Sequence, residues 1–130
     1  MAYLLDTNVL IDFTLGRSLD LLRKMDQQPK DTLFMSAVTF AELAVGARRS
    51  TEASDGANLA ALARLIHVRP FEERAGEIYG EICRAMGIKR SSFDRLIAAH
   101  AIALGFTLVT NNGHDFRDVP GLIVENWATA

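Results

Sequence analysis

An α/β fold with a mostly parallel sheet follows from two features of this sequence. Short apolar runs of strand length recur along it, at Tyr3-Leu4-Leu5, Thr32-Leu33-Phe34-Met35, Ile66-His67-Val68, Phe106 to Val109 and Leu122-Ile123-Val124. Between them lie longer stretches whose apolar residues recur at helical spacing. Strands that alternate with helices build parallel βαβ units. About five short strands flanked by helices are therefore expected.

The elements can be placed in order. Tyr3-Leu4-Leu5 reads as a buried strand ending at Asp6. Val9, Leu10, Phe13 and Thr14 then follow helical spacing, with Asp6 as a natural N-cap. Leu19, Leu22, Arg23 and Met25 suggest a second short helix that stops near Pro29. After the second strand, Val38 to Arg48 is helical with Ser36 as N-cap. Arg49 to Asn58 is the most loop-like stretch, with Ser50, Thr51, Ser54, Asp55 and Gly56. Leu59, Leu62, Ala63 and Ile66 resume helical spacing. Glu72 to Met86 forms a long helix closed by Gly87, and Ser92 to Leu104 another closed by Gly105.

Composition narrows the class. The chain has 130 residues, 49% hydrophobic and 23% charged, which fits residues 1–130 as a single domain able to bury about two-thirds of its unfolded surface. Disorder is excluded by the same balance. A formal charge of −2 excludes a globally basic nucleic-acid coat. The single cysteine, Cys83, excludes an internal disulfide and reads as a core residue in a reducing compartment. The N-terminus lacks the basic and apolar regions of a signal peptide. Leu96 to Val109, the most apolar stretch, is 14 residues long, contains His100, and is too short to span a bilayer. A cytoplasmic protein is expected. The mean hydropathy of +0.11 is high for a small domain and suggests apolar surface covered by a partner or a second copy.

Ligands of parallel sheets lie at the carboxyl ends of the strands, which directs attention to Asp6 and to Thr110-Asn111-Asn112. Four acids stand out. Asp6 is at a strand end, where capping is the plain alternative. Glu42 has Val38, Thr39, Val45 and Gly46 as its helical neighbours and so projects from an apolar stripe, where a carboxylate is costly unless paired or bound to a cation. Asp94 follows Ser91-Ser92-Phe93 in a capping-box pattern. Asp115 stands in a turn. If they converge, like charges at close range require a cation, and oxygen ligands without a Cys or His cluster point to Mg²⁺ or Mn²⁺. Such a site suits phosphoryl chemistry.

These residues resemble a known family. Tyr3-Leu4-Leu5-Asp6-Thr7-Asn8-Val9-Leu10-Ile11 resembles the opening of PIN-domain ribonucleases. Ser36-Ala37-Val38-Thr39-Phe40-Ala41-Glu42-Leu43 and Phe93-Asp94-Arg95-Leu96-Ile97-Ala98-Ala99-His100-Ala101 resemble their second and third motifs. Thr110-Asn111-Asn112 through Asp115-Phe116, then Val119-Pro120-Gly121-Leu122 and Val124-Glu125-Asn126-Trp127, resemble the close of VapC toxins. The resemblance implies a PIN-like fold and a Mg²⁺- or Mn²⁺-dependent endoribonuclease, the toxin of a type II toxin–antitoxin pair. Asp6, Glu42 and Asp94 match the family's main acidic positions. Asp115 matches the fourth in VapC-like members, although some PIN domains carry an acid where this chain has Asn112. Thr7, Asn8 and Thr110 match polar residues that position the carboxylates or a water. The implied partners are RNA, with a tRNA or rRNA loop as a plausible target, and a VapB-like antitoxin that covers an apolar groove and delivers a basic side chain to the acids. A homodimer and a toxin–antitoxin hetero-oligomer are the implied assemblies.

Other residues carry less. His67, His100 and His114 share no ligand spacing, and His100 reads as a buried structural residue. Gly76 and Gly80 permit close helix packing or are simply tolerated. No glycine pattern supports a nucleotide cofactor. Arg48, Arg49, Lys89, Arg90 and Arg95 lie near the motifs and offer either a phosphate-binding rim or a solvated surface. The competing function is a non-catalytic RNA- or antitoxin-binding module whose acids serve only as caps. A haloacid-dehalogenase-type phosphohydrolase is disfavoured, because Asn8 stands where that start needs a second Asp.

Overall fold

The computed structural model describes residues 1–49, 54–87 and 93–128. The strands are β1 (Tyr3–Leu5), β2 (Leu33–Ser36), β3 (His67–Arg69), β4 (Thr107–Val109) and β5 (Val124–Glu125). They form one sheet in the order β3-β2-β1-β4-β5, and every described pairing is parallel. The expectation of a mostly parallel sheet thus becomes an all-parallel one. The helices are α1 (Thr7–Thr14), α2 (Leu19–Asp26), α3 (Ala37–Arg49), α4 (Ser54–Leu65), α5 (Glu73–Met86), α6 (Asp94–Leu104) and the single turn α7 (Gly113–Phe116).

Alternation along the strands sorts the core into two layers. Leu4 and Leu108 face Ile78, Ile82, Ile97 and Ala98 of α5 and α6. Leu5 and Val109, one residue on, face Val9, Leu10, Leu21, Met25 and Leu62 of α1, α2 and α4. Residues Ala98, Ala99 and Ala101 are fully buried, so α6 is apolar nearly all round, as expected of a helix inside the molecule. The chain's ending closes the second layer. Trp127 packs edge-on to Tyr3, with ring centroids 4.8 Å apart, and its Nε1 donates to Glu125 Oε1 at 3.0 Å.

Several boundaries differ from the sequence expectation. Ser54, Asp55, Gly56 and Asn58 belong to α4 rather than to a loop. Their weak helix propensity yields to the packing of Leu62 beneath the sheet, a normal outcome when tertiary contacts favour a helix. Helix α6 begins at Asp94; Ser91 and Ser92, and with them the capping box, lie outside the described residues. The turn after Asn112 contains α7. Cys83 is half-buried beside the core rather than within it. Gly76 and Gly80 have open space where a Cβ would stand, so they are tolerated and make no close helix contact.

Strand order places the site. The chain leaves β1 for β2 on one side and returns on the other side as β4, so the connections diverge from the carboxyl ends of β1 and β4. Crevices at such switch points are where parallel sheets hold ligands. Asp6 follows β1 there and Thr110 follows β4, and Asp6 N–H donates to Val109 O at 3.0 Å across the gap.

Candidate active site

Asp6 is buried, 4% exposed, and caps α1 by accepting the Val9 N–H on Oδ1 at 2.9 Å. The capping expectation is met at this residue. Its pKa is raised from 3.8 to about 6. Burial is the main cause. Hydrogen bonds from the Thr110 side chain and the Val9 N–H pull it back, and the charges of Asp94 and Glu42 push it further up. Among the described residues, the charged groups that shift Asp6 are both acids.

Glu42 is half-buried on α3, and its Oε1 accepts the Thr7 hydroxyl at 2.6 Å. Thr7 is the first residue of α1, so this bond ties the helix after Asp6 to the helix bearing Glu42. The Thr39 and Thr7 hydroxyl oxygens are 3.2 Å apart. Thr39 is fully buried and lies three residues before Glu42 on the same helix face. The apolar stripe expected around Glu42 is only partly formed, because Val45 is 50% exposed and Gly46 is exposed. Threonines, rather than hydrocarbon, line the inner side of this carboxylate. Asp94 is the first residue of α6, where its charge suits the helix dipole.

Thr110 bonds to Asp6 and also accepts the Asn112 N–H at 3.0 Å, so one buried hydroxyl links the acid to the loop after β4. Asn111 Nδ2 donates to Asp12 Oδ2 at 2.6 Å, which anchors that loop to α1. Asp12 also pairs with Arg17 at 3.1 Å. Asn8 is exposed.

Asp94 and Glu42 stand close enough to Asp6 for their charges to act on it. Asp115 is exposed, accepts a hydrogen bond from the Asn112 amide, and is absent from the groups that shift Asp6. Asn112 and Asp115, the two positions where family members carry the fourth acid, are hydrogen-bonded partners in the same turn. Arg95 donates to the Gly87 carbonyl and ties α6 to the end of α5. The side chains of Arg48 and Arg49, and Lys89 and Arg90 entirely, lie outside the described residues. Thr39 beside Glu42 is a residue that the motifs do not mark. The only sequence signal for Thr39 was a polar residue on Glu42's own face.

Among the described residues, no three Asp, Glu, His or Cys side chains stand in a closed ligand cluster. Asp94 and Glu42 act on Asp6 through their charges. The donor set nevertheless fits a hard divalent cation. It consists of carboxylate oxygens around a buried acid, and among the described residues no Lys or Arg offsets the charge of that acid.

A PIN-domain family model matches residues 3–122. The chain belongs to the PIN-domain family. The PIN domain here is 32% identical to ribonuclease VapC2 of Rickettsia felis, covering 98% of each chain. It is 31% identical to the tRNA(fMet)-specific endonuclease VapC of Salmonella typhimurium, again over 98% of each. Among solved structures it superposes on VapBC2 of Rickettsia felis bound to a promoter DNA fragment, with a TM-score of 0.87 and 30% identity over 98% of this chain and 99% of that one.

Proposed function

We propose that this PIN domain is the toxin of a type II toxin–antitoxin pair, a Mg²⁺- or Mn²⁺-dependent endoribonuclease that hydrolyses RNA phosphodiester bonds. The observation that carries this reading is Asp6, a buried carboxylate at the strand switch point whose charged neighbours are Asp94 and Glu42. Family membership supports it, as do relatives named as ribonucleases. Residues 1–130 are read as one PIN domain, with the cytoplasm as its compartment. Among the described residues, no helix is long and apolar enough to cross a membrane.

Asp6, Glu42 and Asp94 would hold the cation, with Asp115 contributing from the α7 turn. A bound Mg²⁺ or Mn²⁺ supplies charge neutralisation at the phosphodiester and acidifies water. The protein's own groups keep the carboxylates aimed. Thr7 holds Glu42, and Thr110 holds Asp6. Structured RNA such as tRNA or rRNA is the proposed substrate, with Arg48, Arg49, Lys89, Arg90 and Arg95 as candidate contacts to its backbone.

A VapB-like antitoxin is the proposed inhibitor, delivering a basic side chain to the acids. A groove of about 690 Å³, lined by Phe13, Leu22, Met25, Leu33, Leu65 and Ile66 among others, offers it apolar surface. Exposed Leu15, Leu19 and Ile123 add to the surface available for hetero- or homo-oligomers.

The test is cleavage of total cellular RNA by purified, antitoxin-free protein in Mg²⁺, in Mn²⁺ and in EDTA, with new 5′ ends mapped and Asp6→Asn as control. Discrete, metal-dependent cuts lost in the control are expected. A folded protein that cuts no RNA in either metal, yet captures RNA or antitoxin, would instead identify a binding module.

A further inference from the structure

His100 is a fully buried imidazole, 1% exposed, set between Ala99 and Ala101 in the apolar middle of α6. A polar ring there is costly unless its nitrogens are bonded. Its Nδ1 lies 2.7 Å from the Ser36 hydroxyl oxygen. That oxygen already accepts the Val38 N–H at 3.0 Å, so the Ser36 proton is available for donation to Nδ1. The tautomer this selects carries its proton on Nε2. Nε2 is buried with no hydrogen-bond partner among the described residues, and the Pro70 backbone acts on the ring in favour of its charged form. Burial holds the ring's pKa below the usual histidine value, against the pull of Pro70, which agrees with a neutral ring.

The bond joins the strand end that leads into one acid-bearing helix to the body of another. Ser36 ends β2, and its oxygen caps the first turn of α3, the helix of Thr39 and Glu42. His100 sits on α6, six residues after Asp94, or about 9 Å along the axis. One side-chain bond therefore sets the start of α3 against the body of α6. Phe71 closes the ring from the other side, edge-on with centroids 5.3 Å apart.

We propose that His100 is a positioning residue for the carboxylate site: through Ser36 it fixes α3 against α6, and with it the placement of Glu42 relative to Asp94 and Asp6. This rests on the reading of the acids as a divalent-cation site.

The test compares His100→Asn, His100→Gln and His100→Leu with wild type. Asn carries a polar atom at the reach of Nδ1, Gln at the reach of Nε2, and Leu has neither. Circular dichroism checks folding, calorimetric titration gives Mn²⁺ affinity, and RNA cleavage gives kcat and KM. His100→Asn should stay close to wild type. His100→Gln and His100→Leu should bind Mn²⁺ about tenfold more weakly and lose kcat, with KM for RNA unchanged. If His100→Leu fails to fold, the Asn and Gln pair still decides. A folded Gln variant that binds Mn²⁺ like wild type, or an Asn variant as poor as the Gln variant, overturns the proposal. A wild-type chain that binds no Mn²⁺ overturns the cation reading itself, and this inference with it; the variants overturn this inference alone.

Discussion

Asp6 carries a conflict. As an N-cap it stabilises α1, yet as a buried anion facing two other acids it opposes folding when no cation is bound. Its folded pKa of about 6 lies above the 3.8 of an unperturbed aspartate, so the folded state binds the proton more tightly. The contribution to stability is full below pH 4 and is lost as pH rises to about 6. Asp6→Asn keeps a capping acceptor and removes the charge. Without metal at pH 7, it should be more stable than wild type by up to about 3 kcal/mol, and the gap should close as pH falls towards 4. Urea denaturation in EDTA at several pH values measures this. RNA cleavage by the same variant should be lost. Thr7→Val removes the hydroxyl bonded to Glu42. It should lower kcat about tenfold with the fold intact, read by single-turnover cleavage.

At the scale of elements, glycines in two settings should respond oppositely. Gly105 ends α6 with φ +70, a left-handed conformation that L side chains rarely adopt. Gly105→Ala should cost about 1 kcal/mol or more. Gly80 is exposed within α5, with open space beside it. Gly80→Ala should add about 0.5 to 1 kcal/mol. Chemical denaturation of both variants checks the signs. The same contrast shows what the sequence made legible. Gly105 announced its helix end, and the apolar runs announced all five strands to within about two residues. The start of α4 did not show, because Ser54, Asp55 and Gly56 favour loops and only packing makes them helical. The three acids were legible as candidates from their motifs. The bonds from Thr7 to Glu42 and from His100 to Ser36 were not, since they join residues 35 and 64 positions apart and no local pattern encodes such pairs.

For the whole molecule, the parallel sheet does more than build a core. Its order brings the ends of β1 and β4 side by side; Asp6 follows β1 there, Glu42 lies on α3 after the neighbouring β2, and Asp94 begins α6, which leads into β4. The result is concentrated negative charge in a chain whose net charge is only −2. On the proposed reading a cation would complete that arrangement, with Asp115, in an exposed turn, contributing less than the other three acids. Asp115→Asn should therefore weaken cleavage less than Asp94→Asn, a ranking that rate measurements under identical conditions would establish. The most direct test of the central claim is calorimetric titration of Mn²⁺ into wild type, Asp6→Asn and Asp94→Asn at pH 7. Saturable binding by wild type that is lost or strongly weakened in both variants is predicted. Equal binding by all three folded proteins would contradict a shared carboxylate site.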